Sequence, residues 1–202
     1  MIYIGFDLET TGFIAGIDQI VEIGAVKYIN GEVDSVFSTL IDPEKPMPEA
    51  ASRVNGITDD MLAGKPKIHE VLEPFAEFCG DDVIVAHNAM FDYQFLVADI
   101  NKYEAKAPTG LILDTFGIAK KILPGLPNYK LGTLVQHLGI EASEFHRAEV
   151  DASYCAQLFG KMMQKVSNGP HLPPNENLIS LTGKAELRFP QIIPQPKQLS
   201  LL

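Results

Sequence analysis

The stretch IYIGFDLETTG, residues 2–12, decides how the chain is read. Ile2, Ile4, Phe6 and Leu8 alternate with Tyr3, Gly5, Asp7 and Glu9, the period of a β-strand. Side chains two positions apart share a strand face, so Asp7 and Glu9 point the same way. Burying two adjacent carboxylates without partners costs several kcal/mol or forces protonation. A wet edge strand or salt bridges would meet that cost. The apolar residues on the other face suit a covered strand and weigh against an edge. A hard divalent cation held by oxygen ligands meets the cost more simply.

Working outward, IVEIGAVKYI (20–29) and EVDSVFSTLI (32–41) are joined by Asn30-Gly31. Asn-Gly between two such runs marks a tight hairpin. The chain therefore opens as a three-stranded antiparallel meander. The Pro-rich connector DPEKPMPEAA (42–51) leads to a short helix, and Thr58 or Asp59 caps another turn. Residues 66–80 carry Ile68, Val71, Leu72, Phe75 and Phe78 at helical spacing, with Gly80 as a stop and Pro74 as a point of kinking. VIVAHN (83–88) and LILDT (111–115) are short apolar strands alternating with helices over 89–103, about 116–123 and about 131–140. A last long helix spans 148–166. The pattern predicts an α/β fold with a mixed sheet, three antiparallel strands followed by parallel ones, covered by helices.

The 202 residues suit one domain with an appendage, and 46% hydrophobic content is ordinary for a packed core. No apolar run approaches the roughly 18 residues of a membrane span, and the chain enters its first strand without a signal peptide. Cys79 and Cys155 lack metal-ligand spacing and read as reduced core thiols of a cytoplasmic protein. The formal net charge of −10 argues against holding nucleic acid by bulk charge. A nucleic-acid partner would need bound cations locally or a tether to another protein.

Two further stretches join the acidic pair. VIVAHNAMFD places Asp92 in the first turns of a helix after a strand, where ligands gather in such sheets. HRAEVDA places His146 just before the last helix and Asp151 in its early turns. In isolation each aspartate suits a helix N-terminus by charge alone, and His146 suits a surface. Together they set four carboxylates and one histidine at the ends of elements.

FDLETTG, HNAMFD and HRAEVD resemble, in order, the three motifs of the DEDDh family of 3′→5′ exonucleases, with His146-x4-Asp151 as the spacing of the histidine branch. The resemblance runs from about residue 2 to 166 and is strongest to members that proofread for bacterial replicative polymerases. It implies a ribonuclease H-like fold and hydrolysis at DNA 3′ ends, single-stranded or mispaired, releasing nucleoside 5′-monophosphates. It implies two cations, Mg²⁺ or Mn²⁺, held by Asp7, Glu9, Asp92 and Asp151, with His146 as general base. It also implies substrate contacts at Thr10, Thr11, Gly12, Phe13, Val54, Asn55 and Asn88, each of which reads equally as a turn or core residue. Asp114 is expected as a helix cap, and His87 as a structural neighbour of the site.

From residue 167 onward, prolines at 170, 173, 174, 190, 194 and 196 and little periodicity predict a flexible tail over 167–202 beside an exonuclease domain over 1–166. It ends in Gln198-Leu199-Ser200-Leu201-Leu202, which resembles a bacterial sliding-clamp-binding pentapeptide. Docking there would hold the nuclease near a primer end at high effective concentration. A DNA polymerase is a second expected partner. An RNA-processing exonuclease of the same family and a non-catalytic, clamp-tethered adaptor are the competing readings.

Overall fold

The computed structural model describes residues 1–142, 145–167, 169 and 171–192. Among the described residues, five strands form one sheet in the order β3-β2-β1-β4-β5. Strands β1 (Ile2–Thr10), β2 (Ile20–Ile29) and β3 (Glu32–Leu40) make the antiparallel meander, and β4 (Ile84–Ala86) and β5 (Ile112–Asp114) add in parallel. The β2–β3 turn is tight because Asn30 and Gly31 both adopt positive φ, 54° and 93°. Strand β1 is central, paired with β2 on one side and β4 on the other. The mixed ribonuclease H-like sheet expected from the sequence is therefore the one observed.

Among the described residues, seven helices precede the C-terminal segment. They are α1 (Glu49–Asn55), α2 (Asp59–Leu62), α3 (Ile68–Cys79), α4 (Met90–Tyr103), α5 (Thr115–Ile122), α6 (Leu131–His137) and α7 (Ala148–Val166). Helix α3 runs through Pro74 and buries Val71, Leu72, Phe75 and Cys79.

The alternation along β1 sorts its side chains between two cores. Ile4, Phe6 and Leu8 face α3 and α4, in a core with Phe75, Phe95, Leu96 and Ile100. Tyr3 faces α7, in a core with Phe159, Met162 and Met163. Gly5, Asp7 and Glu9 share Tyr3's face, so the carboxylates lie under α7. Helix α7 sits close to the sheet for a steric reason. A Cβ on Gly5 would collide with the Ala152 carbonyl and the Ala156 methyl, and one on Gly24 with the backbone of Ala148 and Glu149. Ala148, Ala152 and Ala156, spaced one turn apart, are fully buried on that seam.

The expectation of a flexible tail from residue 167 is corrected for residues 171–192. Helix α8 (Asn175–Thr182) packs on α5 and β5 and buries Leu178. The chain then runs along the open side of β5, where the Ile112 amide donates to the Leu187 carbonyl at 2.9 Å. Phe189 is 3% exposed and stacks on Tyr93 with ring centroids 5.5 Å apart. The segment thus covers a sheet edge that would otherwise present unpaired backbone groups. Leu178 and Phe189 lie too far apart in sequence to show a period, and the prolines that flank them, at 170, 173, 174, 190, 194 and 196, mimic a linker. The pentapeptide 198–202 lies outside the described residues.

Candidate active site

The site is built where three elements end together. Strand β1 carries Asp7 and Glu9, the start of α4 carries Asp92, and the start of α7 carries Asp151. Strand β4 stops at Ala86, short of the β1 residues beside it, so the Leu8 amide reaches the Asp92 Oδ1 instead, at 3.2 Å. That bond ties α4 to the strand holding the acidic pair.

His146 and Asp151 are joined locally. The His146 amide donates to Asp151 Oδ2 at 2.9 Å, and His146 has φ +66°. A left-handed backbone costs a non-glycine residue roughly 1–2 kcal/mol. Such strain, held by surrounding contacts, is typical of functional positions. Asn88 repeats the pattern, with φ +65° and its amide donating to Asp114 Oδ1 at 3.0 Å.

Ligand atoms of Glu9, His146 and Asp151 all lie within 4.8 Å of one another. Asp151 Oδ1 is buried and accepts no hydrogen bond among the described residues. An orphaned carboxylate oxygen in that position is what a cation site requires and what a structural aspartate avoids. The electrostatics agree. Burial, then the charges of Asp92, Glu9 and Asp151, push the Asp7 carboxyl well above its usual range. Burial, then Asp151 and Glu22, push Glu9 up to about 7. Burial pushes Asp92 up to about 8 against the help of the Leu8 amide, and it raises Asp151 as well. Four carboxylates that resist ionising together form an oxygen-rich set suited to divalent cations.

Beside this set lies a cavity of about 530 Å³ lined by Thr10, Thr11, Gly12, Phe13, Val54 and Asn55, with Phe91 from α4. Phe13 is 86% exposed and Val54 58%, so neither is a core residue. The Phe13 and Phe91 rings stand 6.4 Å apart at the cavity wall. Asn55 is buried, accepts the Ile57 amide at 3.1 Å and hydrogen-bonds to Glu9, so it holds a candidate ligand. The Thr10-Thr11-Gly12 turn is closed by Thr10 Oγ1 donating to the Gly12 carbonyl at 2.6 Å. Asp114 caps α5 by accepting the Phe116 amide at 3.0 Å. His87 is half-buried and held between Thr115 Oγ1 and the Tyr129 carbonyl, a structural neighbour of the site.

Sequence reasoning passed over Glu22, a 1% exposed carboxylate on β2 that is the register partner of Glu9. Its signal was a charge in the middle of the apolar run IVEIGAV. It also passed over the Gly5, Gly24 and alanine seam that sets α7 against the sheet.

The fold and this acidic site define a nuclease of the exonuclease class. Residues 4–159 match the exonuclease (RNase_T) family model, and the chain belongs to that family. It is 40% identical over 163 residues to the DNA polymerase III subunit epsilon of Treponema pallidum, covering 80% of this chain and 76% of that protein. It is 37% identical over 195 residues to the PolC-type DNA polymerase III of Clostridium perfringens, covering 95% of this chain and 13% of that longer protein. Among solved structures, Exonuclease X in complex with 5′-overhanging duplex DNA superposes with a TM-score of 0.69 at 27% identity, over 90% of this chain and 99% of that one. The nuclease domain of 3′hExo, a DEDDh family member bound to rAMP, shares the fold with a TM-score of 0.72 at 16% identity, over 85% and 94% of the two chains. Among the described residues no helix is long and apolar enough to cross a membrane.

Proposed function

We propose that this chain is a divalent-metal-dependent 3′→5′ exonuclease acting on DNA at single-stranded or mispaired primer ends. It would serve bacterial replication or repair in the cytoplasm and release nucleoside 5′-monophosphates. The observation that carries the reading is the gathering of Glu9, His146 and Asp151 within 4.8 Å, with Asp151 Oδ1 accepting no hydrogen bond among the described residues. The likeness to an epsilon subunit and to a DNA-bound Exonuclease X favours DNA over RNA.

Asp7, Glu9, Asp92 and Asp151 would hold Mg²⁺ or Mn²⁺. Bound there, a cation pair supplies an acidified water and charge neutralisation at the phosphate. The remaining work falls to the protein. His146 is exposed, next to Glu9 and Asp151, and takes the proton of the attacking water. Phe13, Val54 and Phe91 offer apolar walls to the terminal base. The turn at Thr10, Thr11 and Gly12, with Asn88 at the end of β4, positions the sugar and phosphate. Asn55 steadies Glu9. Gln198–Leu202 binds a sliding clamp, and a DNA polymerase is the second partner.

The test is digestion of end-labelled DNA and RNA oligonucleotides, with Mn²⁺ or with chelator, by the wild type and Asp7→Ala. Stepwise shortening of DNA from the 3′ end, lost with chelator and in Asp7→Ala, is the expected result. Faster cleavage of RNA would move the assignment to RNA processing. Absence of cleavage of both would remove it in favour of an adaptor.

A further inference from the structure

Glu22 lies beside the acidic cluster but differs from it in how its oxygens are used. Arg147 Nη2 donates to Oε1 at 2.7 Å and Arg147 Nε reaches both oxygens at 3.2 Å. The Ala148 amide donates to Oε2 at 3.0 Å. Both oxygens are therefore occupied by donors from the start of α7, and Glu22 is not free to join Glu9 and Asp151 as a ligand. Arg147 is the N-cap residue of α7, and its own side chain makes no capping bond. The cap comes instead from a carboxylate on β2, 125 residues earlier.

This arrangement brackets His146. Its own amide is held by Asp151, and the next two residues are held by Glu22. Between these anchors the backbone is left-handed, a conformation that relaxes unless both sides are fixed. Gly24, two residues along β2, admits the backbone of Ala148 and Glu149 against the strand. A bidentate guanidinium–carboxylate pair fixes direction as well as distance, which an ordinary cap does not.

We propose that Glu22 and Arg147 are positioning residues for the reaction: a buried clamp that holds the His146 imidazole where it meets the attacking water. The inference rests on the reading of His146 as general base. Neither side chain hydrogen-bonds to Glu9 or Asp151, so the loss of the clamp is expected in turnover more than in metal binding.

The experiment compares wild type, Arg147→Ala, Arg147→Lys, Glu22→Gln and His146→Ala on a single-stranded DNA oligonucleotide with Mn²⁺. It reads kcat, KM, the Mn²⁺ dissociation constant by calorimetry, and the thermal midpoint. Arg147 is partly exposed, so its variants remain informative if Glu22→Gln fails to fold. Arg147→Ala should lower kcat about 100-fold, the scale of a catalytic group displaced by about 1 Å, with KM and Mn²⁺ affinity near wild type. Arg147→Lys should recover part of the loss. Added guanidinium should raise kcat of Arg147→Ala and leave His146→Ala unchanged. A kcat close to wild type in Arg147→Ala overturns the proposal. So does a loss that guanidinium leaves untouched, or one matched by loss of Mn²⁺ affinity. An inactive wild type would instead count against the exonuclease reading itself.

Discussion

At the residue scale, the site is a set of carboxylates placed where each makes its neighbours harder to ionise. Asp7 stands at the centre, raised by burial and by the charges of Asp92, Glu9 and Asp151. Asp7→Asn takes the central carboxylate out of that crowded set. Cleavage should fall about 10³-fold, roughly 4 kcal/mol of barrier, while the metal-free variant melts higher than the wild type at pH 8. A variant that melts lower without metal would show that Asp7 is held by structural partners. The titration sets a second expectation. Glu9 and Asp92 are raised from 4.5 and 3.8 to about 7 and about 8. The folded state therefore keeps protons that the unfolded chain releases from about pH 4 upward. Stability from this source is present at low pH and lost as pH rises through 7 and 8. In chelator, the thermal midpoint should fall between pH 5 and pH 8, and added Mn²⁺ should raise it more at pH 8. A midpoint that climbs over that interval in chelator contradicts the assignment. Asp7 and Glu9 could be picked out in the sequence because carboxylates in an apolar run are costly, and Asp92, His146 and Asp151 because HNAMFD and HRAEVD set them at the starts of helices. Glu22 carried the same signal, a charge inside IVEIGAV, but its role was not legible because its partner Arg147 is 125 residues away and only the fold joins them.

At the element scale, the strands and the first seven helices were legible from period and turn chemistry. Asn30-Gly31 fixed the hairpin, and the face shared by Asp7 and Glu9 followed from alternation alone. How closely α7 approaches was not legible, since glycines and alanines carry no periodic signal. Gly24→Ala tests that contact. The added methyl would push against the backbone of Ala148 and Glu149, costing about 1–3 kcal/mol. Denaturant melts should show that loss, and turnover should drop more than stability because His146 and Asp151 ride on the displaced helix. Unaltered turnover would mean the start of α7 need not sit so close. The C-terminal segment was misread because its two buried apolar residues, Leu178 and Phe189, are far apart and flanked by prolines. Phe189→Ala should cost about 3 kcal/mol, or roughly 6–12 °C in Tm. A chain ending at Val166 should be far less stable than one ending at Ile192. Equal melting of the two truncations would restore the picture of an independent tail.

At the scale of the whole molecule, a chain of net charge −10 is asked to act on a polyanion. Cations at the acidic cluster would resolve the conflict where it is sharpest, and a clamp tether would resolve it for the rest of the surface. Removing residues 198–202 should then leave turnover on free oligonucleotides intact and slow digestion of primer ends on clamp-loaded DNA. Equal rates on both substrates would separate the pentapeptide from any clamp. All of this depends on the carboxylates holding metal. The most direct measurement is anomalous diffraction from a crystal soaked with Mn²⁺ and a nucleoside 5′-monophosphate. The account predicts Mn²⁺ peaks at about 2.0–2.4 Å from carboxylate oxygens of Asp7, Glu9, Asp92 and Asp151, with the nucleotide phosphate beside them. A saturated crystal with no peak at those oxygens would contradict it.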